Sequence, residues 1–146
     1  MFLQGEIKKL QAPYILETFK YFPLDGNYSP DLLMHTPSAD DNAFVIEIKT
    51  QPNINMQLIL HDLDKIGQFL NRFNYDCGIF LAVNSNPNEL LEFLNSYIEY
   101  LMDKITLARF EHFHIIVKEN YDSEIFHCTL FDILDQPFWN KFKTYS

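Results

Sequence analysis

The segment that most constrains the fold is the apolar run GIFLAV, Gly78–Val83, near the middle of the chain. It lies between two polar stretches, Asn74–Asp76 and Asn84–Asn88, that are typical of turns. A run this short and this apolar indicates a strand buried on both faces of a mixed or parallel sheet. The rest of the fold therefore has to supply neighbouring strands and covering helices for this segment.

Helices are predicted on both sides of that strand. Met56–Phe73 carries its apolar residues at helical spacing, and a second helix is predicted from Glu89 to about Arg109. Phe2–Gln11 predicts a short helix, Tyr14–Phe22 fits both helix and strand periods, and the aromatic tail from Gln136 predicts a short closing helix. Further strands are predicted at Asp31–His35, Ala43–Lys49, His112–Lys118 and Glu124–Phe131. This alternation predicts an α/β fold, a central mixed sheet flanked by helices.

Length and composition predict one domain over residues 1–146, with one substantial core. No window approaches the roughly 20 apolar residues of a membrane-spanning helix, and the first residues lack the apolar run of a signal peptide. Cys77 and Cys128 lie in strand-like apolar segments, which is typical of buried, reduced thiols. We therefore expect a cytoplasmic protein that does not bind membranes.

The charge balance limits how this chain can bind nucleic acid. Its 11 Lys and Arg residues against 20 Asp and Glu residues give a net charge of −9. Tight, indiscriminate binding to phosphates needs several cationic contacts, so the charge disfavours it. Bound divalent cations can reverse the local field at a carboxylate site. If the chain acts on nucleic acid, we expect a second copy in a homodimer or a partner protein to assist it.

One group of charged residues stands out. Pro30-Asp31 is followed, after 15 residues, by Glu47-Ile48-Lys49. Alternate residues of a strand share a face, so Glu47 and Lys49 should project together. A hairpin through the polar loop Thr36–Asn42 would bring Asp31 to the same place.

Such a trio suits metal-assisted hydrolysis. Two neighbouring carboxylates repel each other unless a cation neutralises them, and a hard divalent ion prefers oxygen ligands. The ion can lower the pKa of a bound water and stabilise charge on a phosphate, and an adjacent lysine can orient or deprotonate that water.

The stretch from Ser29 to Asn84 resembles the PD-(D/E)xK nuclease superfamily, which has the restriction-endonuclease-like fold. The resemblance lies in PDLLMH…AFVIEIK, in the helix LILHDLDKIGQFL and in the strand YDCGIFLAVN. More narrowly, the chain resembles nuclease-like domains of bacterial defence systems or mobile elements. The resemblance implies a nuclease that uses Mg²⁺ or Mn²⁺ to hydrolyse phosphodiester bonds, in DNA rather than RNA. It implies Asp31, Glu47 and the Ile48 carbonyl as metal ligands, and Lys49 as the catalytic lysine.

Two points stay open at this stage. Many members of that superfamily supply another acid from a preceding helix, and Glu6, Glu17 and Asp25 are candidates here, with Glu17 preferred. Asp62 and Lys65 are three residues apart on the predicted helix, where they could line a substrate groove. We expect them instead to form a solvated surface ion pair, since that is the usual arrangement at this spacing.

The alternative is a protein that has the nuclease fold but does not hydrolyse phosphodiester bonds. The acidic composition and the unplaced additional acid are also compatible with a catalytically inactive nuclease-fold module that acts in protein–protein interaction or assembly.

Overall fold

A six-stranded mixed sheet forms the centre of the computed structural model, which describes residues 11–19, 23–26, 28–36, 41–53 and 55–135 and the backbone of 143–145. The strands are β1 Leu32–His35, β2 Asn42–Lys49, β3 Cys77–Val83, β4 Phe113–Lys118, β5 Ile125–Thr129 and β6 Lys143–Tyr145. The helices are α1 Pro13–Phe19, α2 Met56–Arg72, α3 Pro87–Ser96, α4 Ile98–Lys104 and α5 Leu130–Asp135, with a 3₁₀ helix at Leu107–His112. The predicted α/β fold, a mixed sheet flanked by helices, is confirmed.

The strands lie in the sheet in the order in which they occur in the chain, β1 to β6. The central strands β2, β3 and β4 run parallel to one another. The outer strands β1, β5 and β6 each pair antiparallel with their neighbour. Parallel neighbours require a crossover connection, and α2 makes the first one, between β2 and β3. The ends of β2 and β3 therefore meet at one edge of the sheet.

One face of the sheet is buried across all of the central strands. Along β3, Gly78, Phe80 and Ala82 are buried, whereas Ile79 and Leu81 are partly exposed. The expectation that this strand is buried on both faces is therefore wrong for its second face. On that second face, Ile79 and Leu81 lie beside Ile46 and Ile48 of the neighbouring strand β2.

Helix α2 packs tightly against the buried face. A Cβ atom at Gly78 would clash with the Ile66 side chain and would lie 3.0 Å from Leu70 Cδ1. On another side of α2, a Cβ atom at Gly67 would lie 2.5 Å from Ile105 Cγ1. The helix begins after Asn55, whose side chain accepts a hydrogen bond from the Leu58 backbone N–H at 3.2 Å. The absence of a side chain at Gly78 allows α2 to approach β3 this closely.

The prediction of one continuous helix from Glu89 to about Arg109 is wrong. The chain forms α3 and α4 with a break at Tyr97, and then the 3₁₀ helix. The apolar spacing continues through the break, so the sequence pattern does not reveal it. Leu101 and Ile105, beyond the break, are buried in the core.

Strand β5 ends two residues earlier than predicted, at Thr129. The Thr129 backbone N–H donates to Asp132 Oδ2 at 2.8 Å, and the Asp132 backbone N–H donates to Thr129 Oγ1 at 3.1 Å. This reciprocal capping arrangement begins α5 at Leu130.

Helices are also predicted near the two ends of the chain. The ambiguous segment Tyr14–Phe22 is helical through Phe19. The closing helix expected in the tail is wrong for residues 143–145, which form β6, while residues 136–142 and 1–10 lie outside the described part. No helix in the described part of the chain is long and apolar enough to cross a membrane. No disulfide joins Cys77 and Cys128; Cys128 is buried as expected, whereas Cys77 is only partly buried.

Candidate active site

Asp31 lies immediately before β1, at the sheet edge where β2 ends. Leu32, the next residue, pairs with Ile46 of β2. Asp31 Oδ2 accepts a hydrogen bond from the Ile48 backbone N–H at 2.7 Å. The hairpin thus places Asp31 beside the stretch Glu47–Lys49, as the sequence interpretation expected.

Glu47 and Lys49 project from β2 towards α2, where they meet two charged side chains of that helix. Glu47 Oε2 lies 3.0 Å from Lys65 Nζ. Lys49 Nζ lies 2.6 Å from Asp62 Oδ2, and Lys65 Nζ lies 3.4 Å from Asp62 Oδ1. Glu47, Lys49, Asp62 and Lys65 therefore form a chain of ion pairs, called here the β2–α2 network. Negative and positive charges alternate along the ion pairs, in the order Glu47, Lys65, Asp62 and Lys49.

The expected solvated surface pair of Asp62 and Lys65 is wrong, because both residues are buried. Asp62 is 4% exposed and Lys65 is 8% exposed. Asp62 is in line with Ile66 and Phe69 on the face of α2 that packs against the sheet. A buried charge is costly unless it is paired, so their burial depends on the partners that β2 supplies. The position of Asp62 within the apolar stripe of the helix was the signal available in the sequence.

Glu47 has the most strongly perturbed environment of these residues. It is 3% exposed, and its Oε1 atom accepts no hydrogen bond within the described part of the chain. Burial raises the pKa of Glu47 to about 7, against the lowering effect of the bond from Lys65 and with further raising by Asp62 and Asp31. A carboxyl group with such a pKa changes its charge near neutral pH.

The additional acid from a preceding helix has three candidates, and they have different surroundings. Glu17 is exposed on α1, and among the described residues no hydrogen bond or ion pair joins it to the network. Asp25 is bound by Arg72 through two contacts, at 2.6 and 2.8 Å. Glu6 lies outside the described residues. The acid that the structure does bring to Glu47 is Asp62, from the helix that follows β2.

The donor set can be tested for its fit to a divalent cation. Among the described residues, no group of three or more His, Cys, Asp or Glu side chains is arranged to hold a metal ion. The predicted set needs only two carboxylates, Asp31 and Glu47, together with the Ile48 carbonyl. Among the described residues, the buried Glu47 Oε1 has no hydrogen-bond partner, which is compatible with a role as a cation ligand. Asp31, Glu47 and the Ile48 carbonyl are oxygen donors, the type of ligand that Mg²⁺ and Mn²⁺ prefer.

A cleft borders the network at the ends of β2 and β3. Lys49 lies on its wall together with the amide side chains of Gln51, Asn53 and Asn55, and Phe80 contributes to its apolar lining. Crevices at the carboxyl ends of parallel strands are common ligand sites in α/β proteins. The side chain of Lys49 is 29% exposed, so it is accessible from solvent.

No protein-family model, curated protein or solved structure matches this chain.

Proposed function

We propose that this protein is a metal-dependent nuclease that hydrolyses phosphodiester bonds of nucleic acid, with DNA as the favoured substrate and Mg²⁺ or Mn²⁺ as the cofactor. The observation that carries the proposal is that Asp31 bonds the backbone N–H of Ile48, between Glu47 and Lys49, while the buried Glu47 Oε1 has no hydrogen-bond partner among the described residues. The resemblance to the PD-(D/E)xK superfamily gives these residues the same roles.

Asp31 and Glu47 would hold the cation, and the Ile48 carbonyl would be a third ligand. The bound ion supplies the positive charge that lowers the pKa of a water molecule and stabilises an attacked phosphate. Asp31 Oδ2 is held by the Ile48 N–H, which fixes the orientation of the carboxylate and leaves Oδ1 to act as a ligand. Without the cation, Lys65 contacts Glu47 Oε2, and Glu47 Oε1 is the atom that would bind the ion.

In this proposal, Lys49 acts on the water and the phosphate. Its ammonium group is held by Asp62 at 2.6 Å, which restricts its position. The ammonium group can donate hydrogen bonds to a phosphate oxygen and counter the negative charge that develops there. The partial exposure of its side chain leaves room for that contact.

The acidic surface suggests that the protein does not act alone on long nucleic acids. A net charge of −9 opposes binding to phosphates, and the lysines of the β2–α2 network are already paired with carboxylates. We propose that a second copy or a partner protein contributes cationic contacts. The same proposal includes a cytoplasmic location.

The test uses the purified full chain with double-stranded DNA, single-stranded DNA and RNA, in Mn²⁺, Mg²⁺ or EDTA. We expect cleavage that requires the divalent ion. Asp31→Asn, Glu47→Gln and Lys49→Met should each lower the rate roughly a hundredfold or more, since each removes a ligand or a charge at the reacting phosphate. Lys104→Met removes one positive charge from an exposed position on α4 and is the matched control for Lys49→Met.

Equal cleavage by the wild type and by all three site variants would identify a contaminating nuclease and refute the proposal. If the wild type cleaves none of the substrates in either metal, the alternative of an inactive nuclease-fold module would be favoured.

A further inference from the structure

Lys65 is the member of the β2–α2 network that contacts both carboxylates. Its Nζ atom lies 3.0 Å from Glu47 Oε2 and 3.4 Å from Asp62 Oδ1. Lys49, by contrast, makes its ion pair with Asp62 through the other oxygen, Oδ2. Each oxygen of Asp62 thus faces a different ammonium group. Asp62 can therefore keep Lys65 as a partner when Glu47 is engaged elsewhere.

We infer that Lys65 is an internal counter-ion that competes with the divalent cation for Glu47, and that Asp62 receives Lys65 when the cation binds. This inference rests on the proposed nuclease function and makes Lys65 and Asp62 positioning residues of that site. Both residues lie on α2, where the sequence predicts a solvated surface ion pair.

The competition follows from the position of the two positive charges. A cation held by Asp31 and Glu47 lies on the same carboxylate that Lys65 contacts at 3.0 Å, and two positive groups on one carboxylate repel each other. Lys65 is 8% exposed, so it cannot simply turn into water. Asp62 Oδ1 is close enough to become its main partner after a small movement.

The transfer also changes the charge that faces the substrate. Before the cation binds, two lysines are balanced by Glu47 and Asp62. After Glu47 is committed to the cation, Lys49 and Lys65 share Asp62 alone, and the divalent ion adds two positive charges to the site. In a protein of net charge −9, this gain occurs where a phosphate has to bind.

The first measurement is Mn²⁺ binding by titration calorimetry on the full chain. We expect Lys65→Met, which removes the competing charge with a side chain of similar length, to bind Mn²⁺ about fivefold more tightly or better. The matched control, Lys104→Met, should change affinity by less than about twofold, because interactions between exposed, distant charges are screened. Lys65→Arg keeps the charge and should stay near the wild type. Asp62→Asn removes the second partner of Lys65 and should weaken binding.

The second measurement follows Lys65 itself by NMR of its ¹⁵Nζ ammonium group during a titration with Mg²⁺. We expect this resonance to shift in the wild type as Lys65 leaves Glu47. It should not shift in Glu47→Gln, where the ion lacks its ligand. An unchanged resonance in the wild type at saturating Mg²⁺ would contradict the transfer of Lys65 from Glu47 to Asp62.

Loss of a buried lysine can destabilise the fold, so the double variant Lys65→Met/Asp62→Asn preserves the net charge of the network. It should also bind Mn²⁺ more tightly than Asp62→Asn alone. If folded Lys65→Met or the double variant shows no such gain, while the wild type binds the ion and cleaves, the inference is overturned and the nuclease proposal stands. If the wild type and Lys65→Met both fail to bind Mn²⁺, the proposed function falls and the inference with it.

Discussion

Glu47 combines near-complete burial with a pKa raised to about 7, and this has a consequence for stability. The folded protein holds the Glu47 proton more tightly than the unfolded chain, whose ordinary value is 4.5. The stabilising contribution is therefore fully present below pH 4.5 and is lost as the pH rises through about 7. Without metal, we expect the free energy of unfolding to fall by up to roughly 3 kcal/mol from this residue across that range.

Urea unfolding in EDTA at several pH values measures this effect, with Glu47→Gln as the neutral control. The comparison with the variant is needed because His114 has the opposite slope: burial, with nearby His127 and His112, lowers the pKa of its ring, so its contribution grows as pH rises towards 6.5. The difference between wild type and Glu47→Gln isolates Glu47. A difference that does not vary with pH would contradict the prediction.

At the residue scale, the sequence predicted the strand side of the site better than the helix side. Alternation along a strand is enough to put Glu47 and Lys49 together, and the hairpin brings in Asp31. The sequence predicts Lys65 at the surface, because acid–base pairs at its spacing are mostly solvated. Whether Lys65 is buried or solvated depends on whether β2 offers partner charges. The pattern of a helix alone does not contain that information.

Among the elements, the contact between α2 and β3 should tolerate little added volume. In Gly78→Ala the new methyl group would meet Ile66 and Leu70, which are fully buried. Since neither side chain can turn into solvent, we expect a loss of about 1–3 kcal/mol in the free energy of unfolding. To make room for the methyl group, α2 has to move away from β3. Because Ile66 follows Lys65 directly, this movement should also perturb the β2–α2 network.

Gly26→Ala is the matched control for this substitution, measured by the same urea unfolding. Gly26 is exposed, and a Cβ atom there would lie 3.9 Å from its nearest neighbour, in the Tyr28 ring. We expect a change within about 0.5 kcal/mol. Equal effects of the two substitutions would mean that α2 adjusts freely on β3.

Element types were largely predictable from the sequence, whereas their ends and breaks were not. The break at Tyr97 leaves the apolar spacing intact, so a periodicity argument extends the helix through it. The end of β5 was readable in principle, because Thr129 and Asp132 have the spacing of a capping box. Its apolar neighbours Leu130 and Phe131 favoured a longer strand instead.

For the whole molecule, cation binding should appear as thermal stabilisation. Binding to the folded state alone, at a cation concentration about 100 times the Kd, contributes roughly 2.7 kcal/mol. For a chain of 146 residues this predicts a rise in Tm of several degrees in Mn²⁺ relative to EDTA. The rise should be larger at pH 8 than at pH 6, because Glu47 has to lose its proton to bind the ion. An equal rise in Asp31→Asn/Glu47→Gln would place the binding elsewhere.

The order of the sheet has a consequence for how the protein is made. Every strand pairs with the strand that precedes it in the chain, so a nascent chain leaving the ribosome can extend the sheet one strand at a time. The residues from Asp31 to Lys65 are all synthesised before β3, and Lys65 emerges 18 residues after Glu47. Helix α2 therefore arrives with the counter-charges before the later strands enclose the carboxylates. The charged centre can be neutralised during translation, well before the C-terminal half has been made.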